Sequence, residues 1–114
     1  MHALIMEADA VVALAIEDAL RENGFTSFSF AITEDEAVAA AEERCPDLIT
    51  ADVNLASGCG IDAVQRICSR KAIPVVFVSE ATHKVLARLP SALTVRKPFP
   101  HRTLADAIVQ AKAA

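Results

Sequence analysis

The stretch Asp47-Leu48-Ile49-Thr50-Ala51-Asp52-Val53-Asn54-Leu55-Ala56-Ser57-Gly58-Cys59-Gly60 decides how this chain folds. A short apolar run ends in a carboxylate, and a polar loop with two glycines follows at once. A run of this length bounded by turn residues reads as a buried strand, which puts Asp52 at the strand's C-terminal mouth. In open α/β sheets, ligand chemistry gathers at that edge. Asp is also a common loop starter, so Asp52 taken alone says little. Its companions carry the argument: Glu7 and Asp9 follow Ala3-Leu4-Ile5-Met6, Ser79 closes Ile73-Pro74-Val75-Val76-Phe77-Val78, and Lys97 closes Ala92-Leu93-Thr94-Val95-Arg96. Four strand ends each present a polar group.

Helical stripes alternate with these runs. Val12, Ala15, Ile16, Ala19 and Leu20 recur at helical spacing, and Asn23-Gly24 supplies a stop suited to left-handed backbone. Ser27 to Ile32 alternates, with Phe28 and Phe30 on one face, and Thr33-Glu34-Asp35-Glu36 reads as a capping box for a helix running to about Arg44. A third helix begins near Gly60 and carries Ile61, Val64 and Cys68 inward. A brief fourth, about Ala81 to Leu89, is ended by Pro90. Leu104, Ala107, Ile108 and Ala111 form the inner stripe of the last helix, and the Ala-rich tail of Ala111, Ala113 and Ala114 reads as a fraying end. Strand followed by helix, repeated along the whole chain, predicts an α/β fold: a five-stranded, doubly wound parallel sheet covered on both faces.

With 114 residues, the chain is expected to form one domain spanning 1–114, large enough to bury a core without staples. Cys45, Cys59 and Cys68 are an odd set without a C-x-x-C pair, which suits reduced thiols and a cytoplasmic protein. No apolar run approaches the ~20 residues of a membrane span, and the N-terminus lacks a signal-peptide pattern. A net charge of −4 with scattered basic residues argues against direct nucleic-acid binding. Any transcriptional output is expected to need another polypeptide.

Glu7 after the first strand, Asp52-Val53-Asn54-Leu55 with Gly60 beyond it, Ser79 at the fourth strand end and Lys97-Pro98-Phe99 at the fifth resemble the response-regulator receiver domain. The likeness covers essentially the full length. It implies a flavodoxin-like (β/α)5 receiver fold, here with a short fourth helix, in a protein that is not an enzyme. It further implies that Asp52 accepts a phosphoryl group from a histidine kinase or histidine phosphotransfer protein, with Mg²⁺ held by Glu7, Asp52 and the backbone carbonyl of Asn54. Ser79 and Lys97 would contact the phosphoryl group, a cis peptide would precede Pro98, and a downstream protein would read the result. Mg²⁺ and an ammonium suit this chemistry because phosphoryl transfer needs positioning and charge neutralisation.

The chain also departs from that pattern. Receivers carry two adjacent acids after the first strand, whereas here the pair is Glu7-Ala8. Asp9 is the alternative second acid, although an Asp at that point also suits a helix N-cap. Glu80 follows Ser79 where receivers usually have a small residue, and Thr94 stands where they carry an aromatic reporter. The interval from Ser79 to Lys97 is short, which predicts a remodelled output face. Two readings remain beside the phosphoacceptor: a pseudo-receiver that binds proteins without phosphate control, and an aspartyl-phosphate hydrolase. The latter would need an acid where Asn54 stands.

Overall fold

The computed structural model of the chain describes residues 1–113. Strands and helices alternate throughout: β1 His2–Met6, α1 Ala10–Glu22, β2 Ser27–Ala31, α2 Glu34–Glu43, β3 Leu48–Ala51, α3 Gly60–Ile67, β4 Val75–Ser79, α4 Thr82–Arg88, β5 Leu93–Arg96 and α5 His101–Lys112. All pairings are parallel, in the order β2-β1-β3-β4-β5. The predicted doubly wound sheet is thus present, and its order reverses between β1 and β3. That reversal opens a crevice at the C-terminal strand ends.

Strand residues alternate between two apolar cores. On one face Ile5, Val76 and Val78 pack with Ile16 and Leu20 of α1 and Leu104 and Ile108 of α5. On the other, Leu4, Met6, Ile49 and Phe77 meet Ile61 and Val64 of α3 and Val85 of α4. Burying each such side chain stabilises by about 1.5–3 kcal/mol, so both helical layers are clamped to the sheet from within. α4 is only seven residues long, as the brief interval before Pro90 predicted.

The helix ends follow the sequence signals, with local differences. Asn23 caps the end of α1 and Gly24 takes a positive φ of 92°. Thr33 Oγ1 accepts from Glu36 N at 3.1 Å, but the Glu36 carboxylate accepts from Ile32 N rather than completing the box on Thr33. α3 has no cap from its own Cys59; Glu34 Oε1, reaching over from α2, accepts the Cys59 N–H at 3.0 Å. Gly60 is forced by proximity, since a Cβ there would stand 1.7 Å from the Asp52 carbonyl oxygen.

Three edges differ from the sequence reading. β4 begins at Val75 and β5 at Leu93, each later than its apolar run, and Pro74 has no N–H to give a ladder. The tail does not fray at Ala111, because that residue lies within α5 on its buried face. Ala114 lies outside the described residues. Cys45, Cys59 and Cys68 are free thiols. Among the described residues no helix is long and apolar enough to cross a membrane.

Candidate functional site: an acidic pair bridged by a lysine

Three strand ends converge at the crevice. β1 and β3 are neighbours, with Met6 paired to Ala51, so the residues just beyond them, Glu7 and Asp52, emerge side by side. Backbone bonds hold both: Glu7 N donates to Ala31 O at 3.1 Å and Asp52 N donates to Met6 O at 3.0 Å. Lys97 arrives from β5, its N–H donating to Ser79 O at 3.1 Å, and the Lys97-Pro98 peptide is cis. The Lys97 ammonium bridges the acids, with Nζ 2.8 Å from Asp52 Oδ2 and 2.6 Å from Glu7 Oε1.

Burial sharpens these contacts. The Glu7 side chain is 2% exposed, against 11% for Asp52 and 13% for Lys97. Burial pushes the Glu7 carboxyl up from its ordinary value, against the pull of Lys97 and of the Asp9 N–H, which donates to Glu7 Oε2 at 3.0 Å. Burial alone would lower Lys97, but its bonds to Asp52 and Glu7 outweigh that cost and hold the ammonium above its usual range. One cation thus serves two carboxylates, and the deeper one feels the shortage. Glu7 Oε1 has beside it, at 2.6 Å, the same ammonium that Asp52 uses.

The remaining predicted residues divide. Asn54 lines the mouth with Asp52, Lys97 and Glu80, around a hollow of about 150 Å³. That space suits a phosphoryl group and an ion, not a sizeable organic substrate. Larger hollows lie elsewhere, such as one of about 490 Å³ between α2 and α3 lined by Val38, Ile67 and Arg66, and they carry none of this chemistry. Asp9 is occupied as the N-cap of α1, its Oδ1 accepting from Val11 N at 2.9 Å and Val12 N at 3.3 Å. Ser79 is fully buried, and its Oγ accepts from Ala81 N at 3.0 Å, so it starts the turn into α4 rather than lining the hollow. Among the described residues no three His, Cys, Asp or Glu side chains converge as a metal cage.

The sequence placed Lys97 at the phosphoryl group but did not show its close contact with Glu7, because adjacency of β1 and β3 is a matter of strand order. It also missed Glu34 as the residue that ties down the loop after Asp52. Arg66 holds Glu34 and Asp35 at 2.9 and 3.1 Å, and the Glu34 carboxylate in turn caps the start of α3.

Residues 3–109 match the family model of the response regulator receiver domain. The chain belongs to this family. The receiver is similar to the phyllosphere-induced regulator PhyR of Methylorubrum extorquens, at 33% identity over 112 residues, covering 95% of this chain and 42% of that protein. It is also similar to the transcriptional regulatory protein PdtaR of Mycobacterium tuberculosis, at 34% identity over 109 residues, 92% of this chain and 53% of that protein. The receiver spans about half the length of these curated relatives. In three dimensions it matches the solution NMR structure of the PhyR response regulator REC domain of Erythrobacter litoralis, with a TM-score of 0.88 and 31% identity, over 96% of this chain and 88% of that one. It is therefore a module of two-component phosphorelay signalling, and the named relatives are regulators.

Proposed function

We propose that this receiver is a phosphorylation-controlled switch in which Asp52 is the acceptor. The observation that carries the reading is the Lys97 ammonium held between Asp52 and Glu7 at the switch point of the sheet. An Asp52 carboxylate oxygen forms the new O–P bond while the N–P bond of a donor phosphohistidine breaks, and the departing imidazole keeps its electron pair and takes a proton. Lys97 is then placed to follow the charge from carboxylate to phosphoryl oxygens. The donor is a histidine kinase or histidine phosphotransfer protein, and the modified surface changes affinity for a downstream protein. Output through proteins rather than nucleic acid accords with a net charge of −4. Reduced thiols fit a cytoplasmic setting.

The residues present fit Mg²⁺. Glu7 Oε1 is buried and shares a single ammonium with Asp52, so two carboxylates stand against one positive charge. Glu7, Asp52 and the Asn54 carbonyl are the protein oxygens that would hold the ion. Water would supply the remainder of the octahedron that Mg²⁺ prefers. Bound there, Mg²⁺ would neutralise phosphoryl oxygens. Asp9 is a poor second acid because its carboxylate already serves the α1 amides.

A second reading, the pseudo-receiver, draws on Ala8 and on the Ser79 hydroxyl being turned to Ala81. Aspartyl-phosphate hydrolysis is disfavoured by Asn54 and by the small hollow. Incubation with a small phosphodonor and Mg²⁺ followed by intact mass separates these readings. One added phosphoryl group on the parent and none on Asp52→Asn supports the switch; an unmodified parent selects the pseudo-receiver, and equal labelling of both removes Asp52 from the role.

A further inference from the structure

The strand order leaves β2 at the edge of the sheet. Ala31 turns its carbonyl to β1, accepting from Glu7 N, so the alternation of a strand turns the N–H and C=O groups of Phe28 and Phe30 outward. Ser27–Ala31 carries no charge and no proline, the usual guards of an exposed edge. Phe28 and Phe30 share one face with ring centroids 6.5 Å apart, and Phe30 is 51% exposed. Ile32, next on that face, is 46% exposed.

We propose that two copies of this chain join β2 to β2, antiparallel about a two-fold axis at Ser29, so that both sheets become one. Register and charge both point to a second copy rather than a foreign strand. With the axis at Ser29, Phe28 of each copy stands opposite Phe30 of the other, and every outward group on those residues meets a partner of the right kind. Sliding the axis toward Phe28 would call on Thr26, whose N–H already donates to Met1 O, and sliding it toward Phe30 would call on Ile32. The Ile32 N–H donates to Glu36 and its carbonyl accepts from Ala56 N at 2.8 Å. The Ser29 register alone uses only free groups, and it sets aromatic rings directly opposite each other.

The charges beside the strand are self-complementary as well. α2 packs along β2 with Glu34, Asp35 and Glu36 in its first turn, near the end of the strand. At its other end Arg44 reaches the start of the strand, donating to Ser27 Oγ at 2.8 Å. A two-fold axis normal to the sheet lays the α2 helices of the two copies on the same face, running in opposite directions. Arg44 of each copy is thereby brought to the Glu36 end of the other. This pairing involves neither Asp52 nor Lys97.

Sedimentation and light scattering on the unmodified chain, across a concentration series reaching about 1 mM, test the proposal. The expected result is a monomer–dimer equilibrium that Phe30→Lys shifts to monomer. Arg44→Glu and Glu36→Arg should each weaken the dimer about tenfold or more, and mixing those two variants should restore it as a heterodimer, since each then meets its opposite charge. Far-UV circular dichroism checks that Phe30→Lys folds; if it does not, the charge-swap pair decides. A chain that stays monomeric at the highest concentration, a dimer undiminished in folded Phe30→Lys, or a mixture that fails to associate better than its components overturns the proposal.

Discussion

Glu7 Oε1 lies 2.6 Å from Lys97 Nζ, nearer than the 2.8 Å from that ammonium to Asp52 Oδ2. The lysine is therefore shared, and it is as much a structural counter-ion for buried Glu7 as a contact for Asp52.

Replacing Lys97 should reveal both roles. Lys97→Ala leaves two carboxylates facing each other without a cation, and loss of one partner from a buried pair costs about 3–5 kcal/mol at most, less here because the site meets solvent. Urea denaturation should show a destabilised but folded protein, partly recovered by Mg²⁺. Asp52 should still be labelled, while the phosphorylation-dependent change in partner affinity is lost. An affinity change equal to that of the parent would show that Lys97 does not couple site to surface.

Ala8→Asp supplies the oxygen that the first strand end lacks. Mg²⁺ binding should tighten in calorimetric titration and phosphorylation should accelerate, because a second acid joins Glu7 beside Asp52. The metal-free protein should melt at a lower temperature, since three carboxylates then share one ammonium. Unchanged Mg²⁺ affinity would mean that position 8 does not face the ion.

Glu80 lines the small hollow with Asp52 and Lys97, so its charge borders the space that an anionic donor to Asp52 would approach. Two like charges about 4 Å apart repel by about 1–4 kcal/mol between water and a protein surface. Glu80→Ala should therefore raise the labelling rate by small anionic phosphodonors several-fold, with the gain shrinking at high salt. A rate unaffected by either change would place the Glu80 charge away from the donor's path.

His2 gives a pH dependence away from the site. Its ring is buried, with Nδ1 2.8 Å from Ser27 Oγ and Nε2 2.9 Å from Ser29 Oγ. Burial lowers its pKa from 6.5, and the Arg44 charge lowers it further. Below that ordinary value the unfolded chain gains a proton that the folded chain refuses, so stability falls as the pH drops from 6.5 toward the folded value. Denaturation at pH 7 and pH 5.5 should show this loss in the parent and a smaller one in His2→Asn. Equal losses in both proteins would assign the effect to other groups.

Much of this was legible in the chain itself. Apolar runs ending at Met6, Ala51 and Val78, each followed by a polar residue, and the Leu93–Arg96 stretch before Lys97 placed the strand ends, because a parallel sheet buried on both faces demands such runs. Asp9 was legible too, but only as two alternatives, since one Asp suits either a cap or a metal. Hydrogen bonds to Val11 and Val12 favour the cap.

By itself, then, the sequence determined the alternation of strands and helices, the brief α4 and the identity of the polar groups at the crevice, because periodicity and chain punctuation are local properties. Tertiary structure alone decided that Glu7 rather than Asp9 faces Lys97, that Glu34 caps α3 and that Phe28 and Phe30 lie on a free edge. Each of these depends on which strands are neighbours. Strand order follows from packing both helical layers at once, a sum over contacts between distant segments that no single stretch of sequence contains.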